Sequence, residues 1–279
     1  MSLDDIGLPS DVLLWKAVLL TVISFAVGVL GGFVGLALGT IRLPTLLLLG
    51  VPPAVAAGTN IIVSTASSLT GAVGHLRARR VVPRLAVTMG IPSVIGAFVG
   101  GFYGHLAPES LLILVVGVLV LWQGVELVNL ARREIAASAA GAALSDAAPA
   151  RPRGGFDRRN VTLAAAMGLI IGVTGGAVGL ILGSLRIPAM LRVLKVDPRA
   201  AVGTNMVIGF FMGATGWIGH VARGQVDYPL AVLMAGSAMA GVHFGVKLTG
   251  KVSLGRLILT LGLVMVVVGA LLIWRAAST

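Results

Sequence analysis

The chain has 279 residues, of which 57% are hydrophobic and only 11% charged. Its mean hydropathy is +1.02, which excludes an ordinary water-soluble domain. It contains no cysteine, so disulfides, thiol catalysis and thiolate metal sites are excluded and the redox compartment is unreadable. The net charge of +11 does not point to nucleic acid. The basic residues cluster between apolar runs, as a positive-inside signal and an attraction to anionic lipid require.

Taken in chain order, Asp4, Asp5 and Asp11 precede the first apolar run. With no basic n-region and no small-residue cleavage site, this start reads as no removable signal peptide. Apolar segments follow at Trp15–Gly31, Phe33–Leu49, Val55–Gly74, Leu85–Gly104 and Ser110–Leu130. A stretch rich in Ala, Arg and Pro, residues 131–160, reads as a polar linker on the cytoplasmic side. Five more segments come after it: Val161–Gly175, Ala177–Leu191, Ala200–Val221, Tyr228–Val246 and Leu257–Trp274. Fourteen per cent glycine (39 of 279) suits close helix packing and broken helices in lipid.

The two sets are copies. Gly31 to Pro44 (GGFVGLALGTIRLP) recurs as Gly175 to Pro188 (GGAVGLILGSLRIP), 144 positions later. One residue out of step, Gly58-Thr59-Asn60 returns as Gly203-Thr204-Asn205, and His75 as His220. The predicted organisation is therefore a first repeat over 1–130, the linker over 131–160 and a second repeat over 161–279. Val161 to Leu191 would be about 46 Å long as a helix, too long for one crossing and too short for two. A hairpin broken near Gly175-Gly176, and likewise near Gly31-Gly32, fits that length. If each repeat is one such hairpin plus three crossings, the repeats are inverted in topology. The cytoplasmic side then holds 16 basic residues, among them Arg77, Arg79, Arg80, Arg84 and Lys195, against Lys16, Arg223 and Arg275 outside. Parallel repeats divide the charges less well, 13 against 6. The expected fold is an all-α polytopic membrane protein of two inverted repeats, with both termini on the non-cytoplasmic side.

Paired Gly/Pro-interrupted segments in matching halves point to a substrate site between them. The ladder Gly31-xxx-Gly35-xxx-Gly39 and its copy Gly175-xxx-Gly179-xxx-Gly183 suit tight helix packing. Their tails carry Thr40, Arg42 and Pro44, and Ser184, Arg186 and Pro188. An arginine inside an apolar segment costs roughly 2.5–3.5 kcal/mol even on lenient insertion scales. Each either snorkels to the headgroups or faces a cavity and binds an oxyanion through its fork of donors. Thr59, Asn60, Thr204 and Asn205 either cap and cross-link helices or line the substrate path. The candidate substrate-binding set is thus Gly31, Gly32, Thr40, Arg42, Thr59, Asn60, Gly175, Gly176, Ser184, Arg186, Thr204 and Asn205. His75, His220 and Glu126 are candidates for gating or proton-linked roles, with interfacial packing or capping as the alternative.

No P-loop, no H-E-x-x-H and no metal-ligand cluster occurs, so no cofactor or metal is expected. An intramembrane hydrolase would need a nucleophile and base. The best candidates, His75 with Ser64 or Ser67, lack an orienting carboxylate.

The G-G-x-x-G segment with its following proline, then Gly-Thr-Asn, in order and twice, resembles the sulfite exporter TauE/SafE family. The resemblance covers both halves. It implies a duplicated helical bundle in the cytoplasmic (inner) membrane that moves small anions such as sulfite, sulfonates or related organic acids, usually outward. The partners it implies are a small anionic substrate and membrane lipid. One departure is Arg192-x-x-Lys195, where the first half keeps Leu48 and Val51.

Overall fold

A computed structural model describes residues 10–34, 39–139, 158–248 and 254–278. The described chain is all-helical. The first half forms α1 (Leu14–Val34), α2 (Gly39–Leu48), α3 (Pro53–Arg77), α4 (Pro83–Thr88), α5 (Gly90–Tyr103) and α6 (Glu109–Ala139). The second forms α7 (Arg158–Val178), α8 (Gly183–Pro188) with a π-helical turn at Ala189–Val193, α9 (Pro198–Val221), α10 (Tyr228–Leu248) and α11 (Leu254–Ser278). Seven helical stretches, all but those of α2, α3 and α8, are long and apolar enough to cross a membrane. Helix α3 has 25 residues but buries Thr59, Asn60, Ser64, Ser67 and Ser68, which lowers its hydropathy.

Local chemistry sets the helix ends. Proline opens α3, α4 and α9, where its missing N–H costs nothing. Asp197 caps α9 by accepting from Ala200 N at 3.1 Å. The single apolar segment expected at Leu85–Gly104 is interrupted at Met89, because Pro92 cannot donate to the carbonyl four residues back. Serine stands at the matching position 237, and α10 runs unbroken. The expected linker begins late: its first nine residues, rich in Ala, Arg and Glu, continue α6 to Ala139. Residues 140–157 of that linker, and Asp4 and Asp5, lie outside the described residues.

The hairpins differ from expectation in where they turn. Helix α7 runs through Gly175-Gly176 to Val178, and the turn falls at Gly179, whose φ is +70°. A side chain at Gly179 would strike the backbone of Ala57, so this position needs glycine twice over, for its dihedral and for its contact. The Gly-Gly pair serves packing instead. A side-chain carbon at Gly176 would collide with Ala97 O of α5, and one at Gly175 would lie 2.6 Å from Met212 Cε. In the first half α1 likewise continues through Gly31-Gly32 to Val34. Lys16 Nζ donates to Leu49 O at 2.7 Å, so the chain leaves the α1–α2 hairpin beside its entrance. The first arm is a full 21 residues and the second only 10, about 15 Å.

The helices form two compact units, α1–α5 with α7–α10 in one and α6 with α11 in the other. Each unit takes elements from both sequence halves. In the first, Gly96, Gly100, Gly168, Gly172 and Gly176 bring α5 and α7 into backbone contact. The matching pair α10 and α1 does the same through Gly28, Gly241 and Gly245. Gly172 meets Ser93 as Gly28 meets Ala238, and Gly96 meets Leu169 and Val173 as Gly241 meets Phe25 and Val29. These glycine contacts of one half on the other are thus repeated with roles exchanged. Helices α3 and α9 pack antiparallel, Gly58 beside His220 and Gln225, and Gly203 beside His75 and Arg80. Thr59 Oγ1 accepts from Asp227 N at 3.1 Å, and Thr204 Oγ1 from Val82 N at 2.9 Å. Each threonine ties down the loop of the opposite half. In the second unit α6 and α11 are also antiparallel, with Gly117, Gly124, Gly262 and Gly269 at the contact.

This packing makes three predictions about stability. On α10, Gly241→Ala places a carbon against Phe25 O and 2.9 Å from Val29 N, and should cost about 1–3 kcal/mol as overpacking. Gly236→Ala on the same helix meets nothing within 4 Å and should stabilise by about 1 kcal/mol. Thermal midpoints in detergent check both; equal effects would remove the packing explanation. Thr204→Val should strand the Val82 N–H and cost about 1–2 kcal/mol, read as a lower midpoint in the same assay.

Candidate functional site

The two arginines of the repeated motif are the largest fully buried side chains of the molecule among the described residues, Arg42 at 1% and Arg186 at 0% relative exposure. They do not snorkel. Helix α2 is short enough to hold Arg42 inside the bundle, and glycine lets it dock. A side chain at Gly39 would collide with Ser64 Oγ and lie 3.1 Å from Asn60 Nδ2. Gly183 docks α8 against Asn205 in the same way.

Arg42 Nη2 donates to Ser64 Oγ at 3.0 Å, and Nε to Asn60 Oδ1 at a long 3.4 Å. The Asn60 amide nitrogen donates to Gly179 O at 2.8 Å, which orients the amide and joins α3 to the turn of the second hairpin. Arg186 has no such partners. Its Nε, Nη1 and Nη2 are all buried without a hydrogen-bond acceptor, as is Asn205 Oδ1 without a donor. The sequence explains part of the difference: position 209, the counterpart of Ser64, is glycine. A carbon built on Gly209 would lie 3.9 Å from Arg186 Nη2 and 3.5 Å from Ser68 Oγ. Ser68 Oγ is itself buried without a partner. Ser64 and Ser68 are one turn apart on one face of α3, so both guanidinium groups approach the same face of that helix. Neither is paired with a carboxylate among the described residues. Burying an uncompensated cation costs several kcal/mol, and the arrangement can offset that cost by taking an anion.

The other expected residues divide. Asn60 lies at Arg42 and Asn205 against Gly183 of the helix that carries Arg186, whereas Thr59 and Thr204 serve the loop contacts described above. Thr40 is buried with Oγ1 unpartnered, and Ser184 is half-buried. Gly31, Gly32, Gly175 and Gly176 are within α1 and α7; Gly35 is outside the described residues. His220 is buried, with Nε2 donating to Gly176 O at 2.8 Å and Nδ1 3.1 Å from Gln225 Oε1. His75 is half-buried at the end of α3, and Glu126 is half-buried on α6, in the other unit. Ser64 and Ser67 do not meet His75: Ser64 accepts from Arg42, and Ser67 donates to Val63 O at 2.9 Å. Ser68 is the residue that sequence reading missed. The available signal was its four-residue spacing from Ser64 on a segment already carrying Asn60.

Comparison with known proteins agrees with this architecture. Residues 20–272 match the family model described as sulfite exporter TauE/SafE. The chain is 24% identical to the probable membrane transporter protein YunE of Bacillus subtilis (strain 168), over 92% of this chain and 97% of that protein. It is 27% identical to the probable membrane transporter protein YdhB of the same strain, over 83% and 89%. A probable membrane transporter protein of Xylella fastidiosa (strain 9a5c) is 25% identical over 91% and 92%. No solved structure gives a significant match. By its family match over nearly its whole length and its apolar helices, this multi-pass membrane protein belongs to the sulfite exporter TauE/SafE family of membrane transporters.

Proposed function

We propose that the protein is a secondary transporter of small oxyanions, sulfite or organosulfonates foremost, working by alternating access between two inverted halves in the inner membrane. The observation that carries this is the pair of fully buried arginines with no carboxylate partner among the described residues, one with all its donors unused. Guanidinium matches the oxygens of a planar or tetrahedral oxyanion, and a desolvated site strengthens that attraction. Sulfur oxyanions come from the family's description.

Two features support inversion. The first hairpin returns to its own entrance at Lys16 and Leu49, leaving an odd number of crossings in each half. The equivalent helices α3 and α9 run antiparallel in contact. With the basic loops inside, both termini are outside. An inside-negative potential then favours anion export by roughly 2.3 kcal/mol per charge per 100 mV. Among the described residues no carboxylate is buried, so uniport or exchange suffices without strong proton coupling.

Counterflow in proteoliposomes tests the function. Labelled sulfite should accumulate transiently and saturably against internal sulfite or a small sulfonate. Large unsaturating currents would make the protein a channel, and no exchange with any sulfur anion or carboxylate in folded protein would sink the reading. Topology is testable because the chain has no cysteine. In intact cells an impermeant maleimide should label Arg223→Cys and spare Arg79→Cys. Labelling of both from one side would refute inversion.

A further inference from the structure

We infer that the two arginines are not equivalent: the anion binds at Arg186 and the Ser68 hydroxyl, while Arg42 is a positioning residue held on Asn60 and Ser64. The inference rests on the small-oxyanion reading above and divides its site.

Three independent polar groups converge on the Arg186 side without partners: the Arg186 guanidinium, Ser68 Oγ and Asn205 Oδ1. Each belongs to a fully or almost fully buried residue, Arg186 and Ser68 at no more than 1% and Asn205 at 2% exposure. Such groups are rare in folded proteins, and each calls for a ligand or another compensating group. The guanidinium and the hydroxyl are donors, the chemistry an oxyanion needs. They come from different halves, α8 and α3, and both lie within 4 Å of where a side-chain carbon on residue 209 would stand.

The first half is arranged otherwise. Ser64 stands where Gly209 stands, and its hydroxyl accepts from Arg42 Nη2. Asn60 occupies Nε and is itself oriented by Gly179 O. Arg42 therefore fastens α2 to α3, and through Asn60 to the turn of the other hairpin. Its charge still contributes to the positive field at the site, but Nε and Nη2 both donate to the protein. One substitution between the repeats, serine against glycine, thus denies Arg186 an acceptor that Arg42 has.

The test measures half-saturation and maximal rate of labelled sulfite counterflow for Arg186→Lys, Arg42→Lys and Gly209→Ser. Lysine keeps the charge but loses the fork. Arg186→Lys should raise half-saturation at least tenfold. Arg42→Lys should chiefly lower the maximal rate, with half-saturation moving less than threefold. Gly209→Ser should supply Arg186 with the acceptor that Ser64 gives Arg42 and raise half-saturation about tenfold; its Cβ meets Ile181 Cγ2 at 2.9 Å, a contact that side-chain adjustment must relieve. Thermal midpoints and gel filtration confirm folding of each variant, and if Arg186→Lys fails to fold, Gly209→Ser decides. Equal rises for the two arginines, or a folded Gly209→Ser with unchanged half-saturation, would overturn the inference while leaving the transport reading intact. A folded wild-type protein that exchanges no oxyanion would overturn both.

Discussion

Helices in lipid gain little from burying apolar surface against one another, so how close they come depends on what their contact faces omit. Here glycine sets that distance. Gly172 and Gly176 bring α7 onto the backbone of α5, and Gly28, Gly241 and Gly245 bring α1 and α10 together. Gly39 and Gly183 dock the two short helices on Asn60 and Asn205. These separations carry the arginines into the bundle: with even a methyl group at Gly39, α2 could not seat and Arg42 would lose Ser64. Placing charge in the interior is thus a consequence of backbone proximity.

That proximity also explains why the chain is duplicated. An arm as short as α2 cannot satisfy or shield its own ends, and broken backbone survives at depth only under cover of protein. The turn of the second hairpin is covered by the first half. Asn60 of the first half bonds Gly179 at the second hairpin's turn, and Gly179 itself rests on Ala57. Thr59 and Thr204 hold the loops at Asp227 and Val82 across the same divide. The second hairpin is not complete on its own.

Where the repeats depart from symmetry, the departures are local and of different kinds. Pro92 breaks the first half's α4–α5 stretch, while Ser237 leaves α10 whole. Ser64 and Gly209 differ by one hydroxymethyl group, yet that difference leaves one guanidinium bonded and the other bare. A transporter built from two copies needs them alike enough to exchange roles and unlike enough to hold one substrate in a defined way. On the proposed reading, the serine–glycine difference supplies the second condition.

Much of this was legible in the residues. Hydropathy marked the segments because lipid demands long apolar helices, and the repeat located Arg42, Arg186, Asn60 and Asn205 because a polar group kept twice in an apolar run has a cost to offset. Gly175-Gly176 misled about the turn: glycine permits both a break and a close contact, and only the neighbouring backbone of Ala97 decides which. The same is true of threonine beside asparagine. Adjacent side chains on a helix point about 100° apart, so Thr59 reaches the Asp227 loop while Asn60 reaches Arg42. The sequence by itself determined a duplicated membrane bundle with an arginine in the matching apolar run of each copy. Only the tertiary structure decided that Ser68 of one half stands beside Arg186 of the other, because that meeting depends on where α3 crosses α9, a relation between residues 118 positions apart.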